Sequence, residues 1–300
     1  MTLIPVMVRR SSLQEIREQT YKVRDAWWTV LLVDPLAARL VRLVAPYRWI
    51  TPNLLTGLAT LLGVAAAACF VAPGLTDQNR WWLAAGAALF HLSFVVDCMD
   101  GKVARLNGTG SLFGAWFDFM FDRLRVFMCA VALFGGQFLR TDEVGYLWTL
   151  IIVTFLDLFR YVNSQQMTKT RETMRASLEE VRGPLPPAES EAAVNLPPQG
   201  PRARLRAALL RHRIRTHLVS GIEFEMAVFI IGPLTGWIIG TSLVAGALMV
   251  AFELLLIVKL WRATRGFPVA LAKAQAAAAL LKPGAPAQAS APGADRVSAT

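Results

Sequence analysis

Cysteine and histidine are scarce in this chain of 300 residues, with three of each. Cys69, Cys98 and Cys129 stand in no CxxC or other metal-ligand spacing, so neither a zinc site nor a disulfide framework is implied. Charge is sparse as well: 17% of residues are Asp, Glu, Lys or Arg, against 55% hydrophobic. That balance excludes an ordinary soluble domain. The opening LIPVMV is too short for the apolar region of a secretory signal and runs straight into charge, so no signal peptide is expected. The basic runs lack interleaved aromatics, which argues against nucleic acid as a partner and for an anionic membrane surface.

What the chain has instead is long apolar runs. Roughly 20 such residues cross a bilayer as a helix, and six runs qualify, at about 52–73, 81–99, 112–137, 143–162, 218–238 and 240–261. A soluble helical bundle would alternate polar and apolar faces. LLTGLATLLGVAAAACFV and SLVAGALMVAFELLLIV have no polar face. The expected fold is therefore an all-α integral membrane protein with six transmembrane helices and no soluble catalytic domain.

Ahead of the first span, Ser12 and Glu15 form a capping-box pattern that opens an amphipathic helix. DPLAARLVRLVAPYRW, 34–49, predicts a juxtamembrane helix with Asp34 as N-cap and Pro35 in the first turn. Leu36, Leu40, Leu43 and Val44 would form its apolar stripe, leaving Arg39 and Arg42 for headgroups. Thr51 caps the first span, with Pro52 at its first position.

The net charge of +10 is unevenly placed. Eight Lys and Arg precede residue 50 and ten lie between 163 and 217, whereas only Arg80 and Arg140 fall in the short opposite loops. The positive-inside rule puts both termini and the long loop in the cytoplasm. The expected organisation is an N-terminal extension and juxtamembrane helix over 1–51, then a six-helix core over 52–261. A Pro/Arg-rich loop lies at 163–217 and a largely disordered cytoplasmic tail over 262–300. Within the loop, Pro-rich 183–201 is expected to be disordered and PRARLRAALLRHRIR to lie on headgroups.

Any chemistry must then sit in the membrane bundle, and DCMDGKVARLNGTGSLFGAWFDFMFD, 97–122, is where it concentrates. Asp97 and Asp100 are three apart and share one helix face; Asp118 and Asp122 are four apart and share a face of the next helix. The short glycine-bearing NGTGS between them makes the two helices antiparallel neighbours, so four carboxylates converge in one cavity. Unaided they would take up protons. A divalent cation removes that problem, and oxygen-only ligation points to Mg²⁺, Mn²⁺ or Ca²⁺. Gly101, Ala104 and Gly114 leave room for something large to approach, and Arg105 offers a fork for phosphate. Together these suggest phosphoryl transfer.

The pattern D-x2-D-G-x2-A-R-x8-G-x3-D-x3-D is met at every fixed position by Asp97, Asp100, Gly101, Ala104, Arg105, Gly114, Asp118 and Asp122. Eight fixed positions match by chance on the order of 10⁻¹⁰ per start site. The segment resembles the signature of the CDP-alcohol phosphotransferases, integral membrane enzymes of phospholipid synthesis. The resemblance implies a CDP-linked donor cut between its two phosphates, release of CMP, and transfer to an alcohol. By position it implies that Asp97, Asp100, Asp118 and Asp122 hold two Mg²⁺ or Mn²⁺ ions, and that Asp122 is also the base. Gly101, Ala104 and Gly114 would accommodate the donor, and Arg105 would grip its phosphates. Asn53, after Pro52, resembles a Pro-Asn that lies near the nucleotide in the family. Arg123 is similar to a basic residue that follows the last aspartate in several members, and would contact the acceptor. The family resemblance further implies a homodimer.

Asp157 and Arg160, three apart, are expected to neutralise each other. Glu223 and Glu225, two apart, cannot both face one cavity, and one of them, Glu223, is a candidate for the acceptor pocket. The expected activity is phosphatidyl transfer from CDP-diacylglycerol to a small alcohol in a bacterial cell membrane, an assignment of donor that rests on composition. A CDP-choline or CDP-ethanolamine transferase acting on a lipid alcohol is the alternative. A transporter with an acidic ion path would not require the small residues and Arg105 at fixed spacings.

Overall fold

A computed structural model describes residues 12–47, 49–76, 79–183, 200–215 and 219–281 of the chain. Among the described residues the regular structure is helical: α1 (Leu13–Thr20), α2 (Asp34–Val44), α3 (Pro52–Val71), α4 (Asn79–Asn107), α5 (Leu112–Thr141), α6 (Gly145–Arg182), α7 (Pro201–Arg211), α8 (Gly221–Met226), α9 (Gly232–Thr235) and α10 (Ile238–Leu281). No strand forms among these residues. An isolated parallel bridge pairs Asp25 with Ile214.

Four helices are long and apolar enough to cross a membrane: Pro52–Gly74, Arg80–Asn107, Gly145–Arg182 and Ile238–Ala279. They agree with four of the six expected spans and make this an integral membrane protein. The other two runs are helical but differ in character. Run 112–137 lies in α5, which carries Asp118, Asp122, Arg123 and Arg125 in its first half. Run 218–238 is broken into α8, a π-helical turn over Ala227–Ile231, and α9, which ends at Gly236 in the left-handed region, φ 76°.

The local starts follow the capping chemistry. Ser12 and Glu15 make both bonds of the capping box at α1, and the Thr51 hydroxyl accepts from Leu54 N at α3. Asp34 is not an N-cap. The chain enters α2 from a π-helical turn over Thr29–Val33, so Asp34 lies inside the helix with its carboxylate buried. The inward face of α2 is the small one, Ala37, Ala38 and Val41, while Leu36 and Leu43 of the expected stripe are exposed.

The chain divides into two compact units, one comprising 1–163 with 196–256 and the other 164–195 with 257–300. The core of the first is the packing of α3 against α4 and α5. Small residues allow the close approach: Ala59 and Ala66 are fully buried, and Ser93 Oγ donates to Ala59 O at 2.7 Å. A Cβ at Gly136 would lie 2.5 Å from Phe70 O, so only glycine lets α5 touch the end of α3. Phe229, in the π-helical turn, closes the core against Phe90 at 4.6 Å between ring centroids. Outward, α6 shows a stripe of Trp148, Ile151, Phe155, Leu158 and Val162, which suits lipid.

The second unit corrects two expectations. The start of the 163–217 loop is helical, because α6 runs to Arg182 with Arg175 Nε and Glu179 Oε1 2.7 Å apart one turn on. The 262–300 tail is helical to Leu281, since KAQAAAALL is built from the strongest helix formers. Residues 184–199 of the Pro-rich stretch and 282–300 of the tail lie outside the described residues.

Gly135 and Gly136 separate packing from propensity, because nothing lies within 4 Å of a Cβ at Gly135. Gly136→Ala is expected to lower the melting temperature in detergent, by about 1–3 kcal/mol of stability. Gly135→Ala should leave it unchanged or raise it. Thermal unfolding followed by tryptophan fluorescence checks both.

Candidate active site

The site is a helix–turn–helix. The C-terminal half of α4 presents Asp97, Asp100, Gly101, Ala104 and Arg105, spacings that return to one face every three or four residues. The turn closes through Thr109 N donating to Ala104 O at 3.0 Å, with Gly108 at φ +63°. Ser111 then caps α5 by accepting from Gly114 N at 2.9 Å, and Gly114, Asp118 and Asp122 follow one turn apart.

One carboxylate oxygen from each of Asp97, Asp100 and Asp118 lies within 4.8 Å of the others. Oxygen ligands opposite each other on one divalent cation are about 4–5 Å apart, so the three fit such an ion. Thr56, on α3, donates to Asp100 Oδ2 at 2.6 Å and holds that carboxylate in place. Beside the group opens a cleft of about 430 Å³, walled by Asn53 and Thr56 of α3, by Asp100, Gly101, Ala104 and Arg105 of α4, and by Gly114 and Asp118 of α5. Small residues make this space. A Cβ at Gly114 would come 3.1 Å from Asn53 Oδ1, and one at Gly101 would come 3.5 Å from Arg105 Nη1. Seven expected residues thus share one wall system: Asn53, Asp100, Gly101, Ala104, Arg105, Gly114 and Asp118.

Asp122 is placed differently from the other three aspartates. It lines no described cavity, and each of its oxygens is taken by a guanidinium, Oδ1 by Arg125 and Oδ2 by Arg123. Arg125 also donates from Nη1 to Asp97 Oδ1 at 2.9 Å, so a single side chain ties the two helices together beneath the three-aspartate group. Its own side chain is 2% exposed. Gly63 makes the room: a Cβ there would lie 2.5 Å from Arg125 Cγ.

Arg123 does not reach the cleft. It is buried between Asp157, whose oxygens lie 2.7 and 2.8 Å from Nη1, and Glu225, 3.1 Å from Nη2. Its guanidinium carbon sits 3.5 Å from the centroid of the Tyr161 ring. The expected Asp157–Arg160 neutralisation is therefore replaced: Arg123 takes Asp157, and Arg160 Nε sits 2.9 Å from Glu253 Oε1. Glu223 and Glu225 take different partners: Glu223 Oε2 accepts from Ser220 Oγ, and Glu225 Oε1 lies 3.1 Å from Arg123 Nη2.

Sequence reasoning missed Arg125, Thr56 and Tyr161. Arg125 carried a usable signal, since an arginine inside an apolar run is a functional candidate by default and stands three residues after Asp122, on the same face.

Residues 49–186 match the family model described as CDP-alcohol phosphatidyltransferase. A relative from Dictyostelium discoideum, an uncharacterized CDP-alcohol phosphatidyltransferase class-I family protein, is 33% identical over 104 residues, which is 34% of this chain. The aligned part is 24% of that relative, so the chain spans about a quarter of its length. The matched region holds the whole helix–turn–helix, its aspartates and its cleft; over residues 49–186 the chain is similar to the CDP-alcohol phosphatidyltransferases, a family of transferases.

Proposed function

We propose that this chain transfers a phosphatidyl group from a CDP-linked lipid donor, CDP-diacylglycerol, to an alcohol and releases CMP. The observation that carries the reading is the three-aspartate group standing at the edge of a cleft whose walls are Gly101, Ala104 and Gly114 and which Arg105 also lines. The donor's cytidine and phosphates enter this cleft, with Arg105 on the phosphates. Leu54, Phe113 and Trp116 are exposed on the same helix ends, which supports a lipid donor with its acyl chains along them. Asp97, Asp100 and Asp118 would hold Mg²⁺ or Mn²⁺, which when bound would supply neutralisation of charge on the transferring phosphate.

The acceptor oxygen bonds to the phosphorus that bears the lipid, the bond from that phosphorus to the CMP oxygen breaks, and CMP leaves with the electron pair. The acceptor's proton goes to Asp122. Since both oxygens of Asp122 are held by guanidiniums, one of those contacts opens before it works as the base. The clustering of basic residues before 50 and between 163 and 217 supports a site on the cytoplasmic side of the membrane. The outward apolar stripe of α6 offers a face for a homodimer or for lipid.

Three outcomes follow. Asp97→Asn and Asp100→Asn are each expected to abolish CMP release from the membrane-inserted, folded protein; near-normal turnover at saturating Mg²⁺ would remove the metal assignment. Arg105→Ala should weaken CDP binding, whereas Asp122→Asn should lower kcat roughly 10²–10⁴-fold with CDP affinity in Mn²⁺ largely kept. Equal loss of CDP affinity in both, by calorimetry, would make Asp122 a ligand and not the base. Arg125→Met strips the cation from two carboxylates and should cost about 3–5 kcal/mol of stability without metal. Its melting temperature should then rise more on adding Mn²⁺ than that of the wild type, a difference read directly by thermal scans with and without the ion.

A further inference from the structure

Arg105, the arginine of the motif, is held from outside the matched residues. Its Nε donates at 3.0 Å to the carbonyl of Thr20, the last residue of α1. Carbonyls that end a helix lack an intrahelical donor and carry partial negative charge, so a guanidinium suits them. With Nε engaged, Nη1 and Nη2 stand over Gly101, 3.5 and 3.8 Å from where a Cβ there would be, on the wall of the donor cleft. A second cavity of about 190 Å³ lies between the N-terminal extension and the motif, and Arg105 lines it too. The side chain therefore has space on both sides, and its bond to Thr20 opposes a swing away from the cleft.

Thr20 is an anchor only if the chain after it is fixed. Residues 21–25 form no helix. They are gripped by Arg213, from the segment that follows α7. Nε and Nη2 of Arg213 donate to Lys22 O at 3.0 and 2.8 Å, and Nη1 donates to Asp34 Oδ2 at 3.1 Å. Its guanidinium carbon sits 4.2 Å from the centroid of the Tyr21 ring, whose hydroxyl donates to Asp34 O at 3.0 Å. Backbone bonds close the clasp, Asp25 N donating to Arg213 O at 2.8 Å and Arg215 N to Asp25 O at 3.0 Å.

Two further features mark the clasp as a built one. Arg213 has φ 63°, in the left-handed region, which a residue other than glycine keeps only where its surroundings hold it. Asp34, buried, also takes Lys102 Nζ at 2.9 Å, so the clasp is fastened to the motif helix itself. Thr20, Lys22, Asp34 and Arg213 all lie outside 49–186. An arginine ordered before a phosphate arrives loses less rotamer freedom on binding it than one that must be ordered then.

We propose that Arg213 is a positioning residue for Arg105: it pins the extension at Lys22 and Asp34, so that Thr20 O keeps the Arg105 guanidinium turned to the donor's phosphates. The inference rests on the transferase reading above, in which Arg105 meets those phosphates. It assigns to two segments outside the matched residues the task of pre-ordering a group inside them.

The test is a double-mutant cycle on the full-length chain in lipid nanodiscs, with CDP affinity and stoichiometry read by calorimetry in Mn²⁺. Stoichiometry counts the molecules able to bind, so misfolding lowers it without changing affinity. Arg213→Ala should weaken CDP by about tenfold at unchanged stoichiometry. In an Arg105→Ala background the same substitution should change CDP affinity by less than about twofold, because there is no guanidinium left to position. Arg213→Lys keeps a cation on Asp34 but cannot also grip Lys22 O with two donors, and should weaken CDP by about fourfold, again only when Arg105 is present. That variant carries the cycle by itself if Arg213→Ala does not fold. Wild-type CDP affinity in either folded variant overturns the inference, and so does a loss of equal size with and without Arg105. Both results leave the transferase reading standing. Absence of CDP binding by the wild type overturns that reading and the inference with it.

Discussion

A guanidinium buried between two aspartates organises this molecule. Arg125 reaches Asp97 on α4 and Asp122 on its own helix, α5. Carboxylates taken out of water among apolar helices are costly unless each finds a cation or a hydrogen-bond donor. Arg125 meets two of them at once, Arg123 meets Asp122, Asp157 and Glu225, and Thr56 meets Asp100. The remaining negative charge is gathered in the three-oxygen group beside the cleft, where a divalent ion is the natural complement.

Compensation of this kind needs space at defined heights, and glycine supplies it. Gly63 admits the stem of Arg125, Gly136 lets α5 close on α3, and Gly114 leaves the gap between Asn53 and Ser111. The bundle is tight where it carries stability and open where it carries chemistry, with small residues at both kinds of place. The extension ahead of residue 49 joins the same plan from outside, because Lys102, inside the signature motif, is paired with Asp34 at 2.9 Å.

Much of the site was legible in the sequence because helical spacing converts directly into shared faces. Asp97 and Asp100 share a face once the segment is helical, and the short glycine-bearing turn brings Asp118 to them, although α4 and α5 each pack chiefly on α3 and Asp122 is drawn off by two guanidiniums. The charged groups farther along the chain were not legible. Asp157 and Arg160 have the right spacing to pair along one helix, yet each is captured by another helix, through Arg123 and Glu253. Glu223 and Glu225, two apart, take different partners, and only the packing of α8 decided that Glu225 meets Arg123 and Glu223 meets Ser220.

The sequence by itself determined the helical, membrane-embedded class, the capping of α1 and α3, and the eight positions of the motif, all of which depend on local periodicity or fixed spacing. Tertiary structure alone decided which cation meets which carboxylate, because each of those pairs joins different helices or competes with a nearer partner. It likewise decided that Asp34 is a buried anchor and not a cap, since a π-helical turn no propensity announces carries the chain into α2. The second cavity is of the same kind: its walls come from residues 20–34 and 97–118, and nothing in either stretch alone points to the other.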